Sequence, residues 1–340
     1  MEEETKASHL SVVVDISPSN WDLSARGAPH NTYPLTLASF LSQLLAFLNA
    51  HIACRDENTL AVFGAFPKKS VMLYASTESA SDWVSTDSTG NAYPPFNALD
   101  SMVVQRISAE LQLIENSMEE EAPSSLVGAL TKALCYVNRI SLPPNPNSKA
   151  QANGFHPGVL PDPRILILSV SPDLSTSYIP IMNSIFSAQK LKTTIDVCQV
   201  YGHDSVFLQQ AAHLTGGSYI FLERRDALLQ YLMASLLRAM SFLPPPSIRK
   251  TLSVPTQEQV DFRAACFCHK KIVDIGFVCS VCLSIYCQPL PVCTTCRTKF
   301  PMKTLTRLNA ARPLLGNKGG SSGAVTNNGS GGNKATNLGR

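Results

Sequence analysis

Apolar and polar positions along the chain follow two alternating patterns. Short β-branched and aliphatic runs, typical of buried strands, occupy residues 9–15, 59–66, 71–75, 164–170, 194–201 and 218–222. Apolar positions recur at helical spacing over residues 35–51, 98–116, 126–139, 178–191, 204–214 and 227–243. Strands that are separated by helices pair in parallel through right-handed crossovers. We therefore predict a doubly wound, mostly parallel α/β domain over residues 8–243.

Glycine, proline and small polar residues mark the interruptions and the end of this domain. Gly216-Gly217 predicts a left-handed cap at the end of a helix. Residues 76–95 and 141–163 are rich in turn-forming residues and predict two exposed loops. The three prolines at 244–246 stop the last helix, because proline supplies no backbone N–H.

Charge and cysteine content divide the chain in two. Residues 1–245 contain 15 Lys+Arg against 22 Asp+Glu, whereas residues 246–340 contain 13 against 3. Seven of the ten cysteines lie between Cys266 and Cys296. The 44% apolar content is enough for a core and excludes wholesale disorder. After the α/β domain we predict a proline-rich linker, a cysteine-rich module and a disordered basic tail, at residues 244–262, 263–300 and 301–340.

Neither a membrane span nor a secretory leader is expected. We expect no apolar run of the roughly 18 residues that a span needs. The longest candidate, residues 227–243, contains Gln230 and Arg238. The chain begins with an acidic segment, unlike the basic start of a signal peptide. The sequence therefore predicts a soluble, intracellular protein without membrane contact.

The cysteine-rich module predicts structural zinc. Two Cys-x-x-Cys pairs separated by ten residues offer a closed site of four thiolates, formed by Cys279, Cys282, Cys293 and Cys296. The remaining candidates for a second, interleaved site are Cys266, Cys268, His269 and Cys287, and the spacing leaves its fourth ligand open. Because four protein ligands leave no position for water, one or two zinc ions here would be structural.

A second candidate site follows the first predicted strand. Asp15, Ser17 and Ser19 place a carboxylate and two hydroxyls at the carboxyl end of that strand, where doubly wound sheets bind ligands. Such oxygens suit Mg²⁺. The motif resembles the metal-ion-dependent adhesion site of von Willebrand factor A domains, whose further positions map onto Ser124 and Asp173. The alternative is that these side chains hydrogen-bond turn amides.

Catalytic motifs give no support to an enzyme. The chain lacks a Gly-x₄-Gly-Lys phosphate loop, and no Gly-x-Gly-x₂-Gly follows the first strand. His203, Asp204 and Ser205 are consecutive, so their side chains cannot converge as a catalytic triad. We predict a binding protein without catalytic residues.

The combination of both parts resembles a known family, the small von Willebrand-A subunits of the transcription and repair factor TFIIH. The likeness spans about residues 8–300 and is carried by five segments, residues 185–190, 214–217, 265–270, 276–285 and 292–296. The resemblance implies a non-catalytic nuclear subunit of the TFIIH core, acting in transcription initiation and nucleotide excision repair. It also implies binding to the larger TFIIH subunit that joins a von Willebrand-A domain to zinc modules.

Two alternatives remain open at this point. Interleaved cysteines are also typical of RING-type ubiquitin ligases, although Cys287 has no ligand two residues further on, as a Cys-x-His-x₂-Cys centre requires. The basic half could instead contact DNA, although no recognition helix is evident.

Overall fold

The structure is a computed structural model that describes residues 8–27, 31–76, 93–116, 122–141, 162–173, 178–233, 260, 262–269, 271–303 and 306–307. The chain divides into two compact units, with the boundary between Gly276 and Phe277. The described residues leave out most of the predicted loops at 76–95 and 141–163. They also leave out most of the predicted linker and tail.

A six-stranded sheet organises the first unit. Its strands are β1 (Ser8–Asp15), β2 (Thr59–Ala65), β3 (Ser70–Ala75), β4 (Asp162–Ser169), β5 (Thr194–Gln199) and β6 (Tyr219–Phe221). Their order is β3-β2-β1-β4-β5-β6, and all neighbours pair in parallel except β2 and β3. The predicted doubly wound, mostly parallel sheet is confirmed.

Helices cover both faces of this sheet. They are α1 (Pro18–Ala25), α2 (Leu37–Cys54), α3 (Pro94–Asn116), α4 (Leu126–Ser141), α5 (Tyr178–Lys190), α6 (Val206–Thr215) and α7 (Leu228–Met233). Alternate residues of β1 enter different cores, with Val12 and Val14 on the face of α2 and α7, and Val13 on the face of α4, α5 and α6. All eight residues of β1 are buried, as expected for a central parallel strand.

Two helices depart from the sequence expectation. The short helix α1 was not predicted, because its eight residues carry little helical periodicity and begin with proline. Proline is well tolerated at a first helical position, where its missing N–H has no partner to lose. Helix α3 begins at Pro94, four residues before the first predicted residue of that helix.

Helix α2 corrects the expectation that no segment is long and apolar enough to cross a membrane. Among the described helices, this one reaches that threshold by length and composition, with a mean hydropathy of 1.5 over 18 residues. Core helices of soluble proteins pass the same test. Phe40, Leu44 and Phe47 of α2 are fully buried in the core on one face of the sheet, so one side of α2 packs against the sheet.

The glycine pair after α6 has the conformation that the sequence predicted. Gly216 adopts φ +73° and caps the helix through its backbone N–H. Gly217 packs so closely on β5 that a Cβ atom there would lie 1.9 Å from the carbonyl oxygen of Ile195. A side chain at position 217 would therefore separate α6 from the sheet.

Two small hairpins follow along the chain. The first, β7 (Ala264–Ala265) with β8 (Ile272–Val273), belongs to the first unit. The second, β9 (Phe277–Val278) with β10 (Ile285–Tyr286), belongs to the second unit.

Candidate metal centre

Two Cys-x-x-Cys turns of the same backbone geometry form the centre of the second unit. In the first, Leu283 donates its N–H to the carbonyl of Cys279 at 3.0 Å. In the second, Arg297 donates to the carbonyl of Cys293 at 2.9 Å. Leu283 and Arg297 both adopt φ +60°. The two turns are hereafter called the first and the second knuckle.

The four thiols of the knuckles lie together. Their sulfur atoms all lie within 4.8 Å of one another. The Cys279 and Cys296 sulfurs are 3.7 Å apart, and those of Cys282 and Cys293 are 3.5 Å apart. A tetrahedral zinc site with bonds of roughly 2.3 Å requires sulfur separations of about 3.8 Å. The donor set and its dimensions therefore fit a closed four-thiolate metal site.

Hydroxyl groups surround these sulfurs. The hydroxyl of Ser284 lies 3.1 Å from the Cys282 sulfur, and that of Thr298 lies 3.0 Å from the Cys296 sulfur. The buried Tyr286 hydroxyl lies 3.1 Å from the Cys293 sulfur. These three residues were not predicted from the sequence, although a Ser or Thr stands two positions after the second cysteine of each knuckle.

The environment of Cys293 favours a thiolate. Burial of this thiol raises its pKa, but the backbone of Cys296 and the hydroxyl of Tyr286 hydrogen-bond to the sulfur. The balance lowers the pKa of Cys293 to about 5. Because the thiolate is the form that ligates zinc, this environment is suited to a metal ligand.

The β7–β8 hairpin carries three of the ligands predicted for a second site. The ligand atoms of Cys266, Cys268 and His269 lie within 4.8 Å of one another. The Cys268 sulfur is 3.2 Å from His269 Nδ1. Burial raises the pKa of Cys266, but the backbone of Lys271 and His269 lowers it to about 6. Cys287 lies in the second unit, and its role as the fourth ligand stays a prediction.

The same hairpin is packed onto the α/β domain. Ala265 is fully buried in the core beneath α4, α5 and α6. The side-chain amide of Gln210 donates to the carbonyl of Arg263 at 3.3 Å. The rings of Phe262 and His213 meet edge to face with centroids 5.2 Å apart. These contacts attach Cys266, Cys268 and His269 to helix α6.

Asp15 occupies the end of β1 and is completely buried. Its Oδ1 accepts a hydrogen bond from the Ser124 hydroxyl at 2.6 Å. Its Oδ2 accepts from the backbone N–H groups of Ser171 at 2.8 Å and Val170 at 3.2 Å. Burial raises the pKa of the Asp15 carboxyl, and these hydrogen bonds lower it in part. The structure thus joins Asp15 and Ser124, as the adhesion-site resemblance implies.

The two serines of the motif lie next to this network. The hydroxyls of Ser17 and Ser19 are 3.3 Å apart. Asn20 donates through Nδ2 to the hydroxyl oxygens of Ser17 and Ser171, each at 3.1 Å. Asn20 and Ser171 were not identified from the sequence, because their role depends on β4 lying beside β1.

Asp173 is engaged elsewhere. Its carboxylate accepts hydrogen bonds from the Ser205 hydroxyl and, at 3.1 Å, from the backbone N–H of Phe207 in the first turn of α6. Ser205 in turn caps that helix by accepting from the N–H of Leu208. Asp173 therefore stabilises a helix N-terminus, whereas the carboxylate contacts of Asp15 are those of a hydrogen-bonded turn. Cation binding at Asp15 stays a prediction.

The fold and the thiol groups together define a class of protein, a von Willebrand factor A-like domain followed by a cysteine-rich module that could hold metal. Residues 7–297 match the model of the family described as Transcription factor Tfb4. The chain belongs to this family, and the resemblance found in the sequence is confirmed.

Relatives span most of the chain. The "General transcription and DNA repair factor IIH subunit tfb4" of Schizosaccharomyces pombe is 37% identical over 300 residues, covering 88% of this chain and 90% of the relative. The Arabidopsis thaliana protein "General transcription and DNA repair factor IIH subunit TFB4" is 35% identical over 306 residues, covering 89% and 92%.

A solved structure also resembles the chain. The crystal structure of the TFIIH p34 N-terminal domain has 28% sequence identity and a TM-score of 0.51. The match covers 66% of this chain and 96% of that domain.

Proposed function

We propose that the chain is a non-catalytic structural subunit of the TFIIH core, acting in the nucleus in RNA polymerase II transcription initiation and nucleotide excision repair. In this role it binds the larger von Willebrand-A/zinc subunit and so supports assembly of the core. The proposal needs no bond-making chemistry from this chain.

One observation carries this proposal. The family match runs from residue 7 to residue 297, and so includes the α/β domain and all seven clustered cysteines. The relatives that cover most of the chain are named as subunits of a transcription and repair factor. A family defined over both parts is expected to use both of them.

Structural zinc is part of the proposal. Cys279, Cys282, Cys293 and Cys296 would hold one ion, since their sulfurs have the separations that a tetrahedral site needs. Cys266, Cys268, His269 and Cys287 would hold a second ion. When bound, the ions supply cross-links that a module with so few buried side chains lacks.

We expect both units to contact the larger subunit, with residues 301–340 contributing little. When two contacts are tethered in one chain, the second forms at a high effective concentration and the two affinities multiply. Loss of either contact therefore weakens binding strongly. A truncation after Gly276 is the sharpest test, because it ends at the boundary between the units and keeps Ala265 in its core.

The experiment is co-purification of tagged chains with the larger subunit, followed by affinity measurement. Deletion of 301–340 should change affinity by less than about threefold, and deletion of 277–340 should weaken it by roughly two orders of magnitude. Equal binding by both would contradict a contact through the second unit. Failure of the full chain to co-purify with TFIIH subunits would overturn the proposal.

The ubiquitin-ligase alternative predicts a different result. A full chain with RING activity would promote ubiquitin transfer from at least one conjugating enzyme in a panel, and Cys282→Ser would abolish that transfer. We expect no chain-dependent transfer with any member of the panel.

A further inference from the structure

The outer edge of strand β7 carries backbone groups that cannot bond to β8. In an antiparallel pair, residues that bond the partner strand alternate with residues whose N–H and C=O face away from it. Cys266 donates its N–H to the carbonyl of Lys271 at 2.9 Å. In this register, the N–H of Ala265 and the carbonyl of Arg263 therefore face away from β8. Backbone groups in such a position need partners outside the hairpin when they are buried.

Two buried side chains of the α/β domain are the partners of this edge. The N–H of Ala265 donates to the hydroxyl of Tyr178, the first residue of α5, and this donation opposes the increase that burial causes in the pKa of Tyr178. Nε2 of Gln210 in α6 donates to the carbonyl of Arg263 at 3.3 Å. Tyr178 and Gln210 are both buried. Helices α5 and α6 thus bond the outer edge of β7 at two points.

Apolar packing fixes the same hairpin on both sides of a metal-ligand candidate. Ala265 is fully buried in the core beneath α4, α5 and α6, and the partly buried Phe267 packs against that core. Cys266 stands between these two residues in the chain and is only 1% exposed. The position of the Cys266 sulfur therefore depends on how the hairpin packs on the α/β domain.

We propose that Tyr178 and Gln210 are positioning residues for metal binding by the β7–β8 hairpin, and that the bound metal in turn stabilises α5 and α6. This inference rests on the second zinc ion of the proposed function. The ligand atoms of Cys266, Cys268 and His269 lie within 4.8 Å of one another, close enough to share one ion. An ion that binds the packed hairpin more tightly than the detached one stabilises the packed state. The coupling is reciprocal, so contacts that hold the hairpin also raise its affinity for the ion.

The first experiment removes a metal ligand and observes the helices. The full chain and its Cys268→Ser variant are reconstituted with zinc and compared by metal analysis and by hydrogen exchange with mass spectrometry. Cys268→Ser should contain about one zinc fewer, and backbone amides of α5 and α6 should exchange at least about tenfold faster. Helix α2 packs on the other face of the sheet and should not change. Cys135→Ser, at an exposed cysteine of α4, is the matched control and should equal wild type.

The second experiment changes the positioning residues and measures zinc affinity by competition with a chromophoric chelator. The hairpin ion is identified as the one that Cys268→Ser lacks. Tyr178→Phe keeps the ring and removes the hydroxyl, and Gln210→Met keeps the length and removes the donor. Each should weaken binding of the hairpin ion by about tenfold or more. Tyr219→Phe is the matched control, because the buried Tyr219 hydroxyl accepts the backbone N–H of Ser205 at 3.1 Å instead. Its zinc affinity should equal that of wild type.

The outcomes separate this inference from the proposed function. Equal zinc content in wild type and Cys268→Ser would remove the second ion from the proposed function and overturn the positioning role with it. Zinc loss in Cys268→Ser with unchanged exchange in α5 and α6 would overturn the inference alone. A lower thermal midpoint of Tyr178→Phe and Gln210→Met without weaker zinc binding would make both residues merely structural, and would also overturn it.

Discussion

The interiors of the two units of this chain differ. In the first unit, a six-stranded sheet is covered on both faces, and each face has its own cluster of buried apolar side chains. In the second unit, the hairpin strands have two residues each. Among its described residues, four side chains are buried, those of Cys279, Ser284, Tyr286 and Cys293. The packing of the first unit is therefore distributed over many side chains, whereas two of the four buried residues in the described part of the second unit are cysteines.

This difference predicts different responses to change. A distributed core loses a fraction of its stability with each substitution, because the neighbouring side chains remain packed. A module that is held by one metal site unfolds when one metal ligand is removed, because folding and metal binding are coupled. Substitutions in either unit can therefore test this comparison.

The largest effect is expected from Cys282→Ser in the full chain. Structural zinc binding contributes roughly 10–16 kcal/mol in small modules, so loss of one of four ligands should remove several kcal/mol. We expect one zinc fewer per chain and rapid proteolysis within residues 277–303, with the first unit intact. Metal analysis and limited proteolysis measure both. Cys135→Ser, at an exposed cysteine of α4, is the control, and equal zinc content in the two variants would contradict the site.

The second prediction tests the first unit. Phe47 is fully buried in α2, and Phe47→Ala should lower the free energy of unfolding of that unit by about 3–5 kcal/mol through lost burial and a cavity. Zinc content should not change. Urea unfolding with metal analysis measures the effect. Leu113→Ala, at a 62% exposed position of α3, should change stability by less than about 0.5 kcal/mol.

Much of the first unit could be predicted because its information is local. The apolar runs of β1, β2, β4 and β5 are short, and helices separate most of them, so strands and crossovers follow from the pattern alone. The position of Asp15 at the end of β1 follows from the same apolar pattern. By contrast, the eight residues of α1 carry too little periodicity to be recognised.

Features that depend on distant contacts could not be predicted. Asp173 could be placed after β4, but its pairing with Ser205 and α6 depends on how β5 and its helix pack beside it. The boundary at Gly276 is another case. The β7–β8 hairpin joins the first unit through Ala265, Arg263 and Phe262, and strands of two residues give no pattern that reveals this packing.

Acidification should destabilise the first unit through two buried histidines. Burial, together with the positive charge of Arg164, lowers the pKa of His9 to about 3 and that of His51 to about 4. The unfolded chain binds these protons near pH 6.5, so stability falls as the pH drops from 6.5 toward 4. At pH 5 each histidine should reduce the free energy of unfolding by about 2 kcal/mol relative to pH 7.

A histidine variant isolates this effect. The raised pKa of Asp15 has the opposite effect on the pH dependence of stability. Its contribution to the free energy of unfolding is present at low pH and is lost as the pH rises. His51→Gln keeps a donor for the carbonyl of Thr59, which lies 3.4 Å from His51 Nε2. Urea unfolding of His51→Gln at pH 7 and pH 5 should show a smaller decrease in the free energy of unfolding. The decrease should be about half of the part that the two histidines cause in wild type. An unchanged loss would contradict a neutral, buried His51.

The smallest effect on assembly is expected at Asp15, which tests whether the sheet edge is a hydrogen-bonded turn or a cation site. Asp15→Ala removes the acceptor for Ser124, Ser171 and Val170. Unsatisfied buried donors should lower the free energy of unfolding by about 1–3 kcal/mol. Affinity for the larger subunit should stay within about tenfold, or 1.4 kcal/mol, of wild type, because the side chain is completely buried. Asp22→Ala, at an exposed position of α1, is the control. If Mg²⁺ raised the thermal midpoint of wild type and of Asp22→Ala but not of Asp15→Ala, Asp15 would be a cation ligand, and the turn interpretation would be wrong.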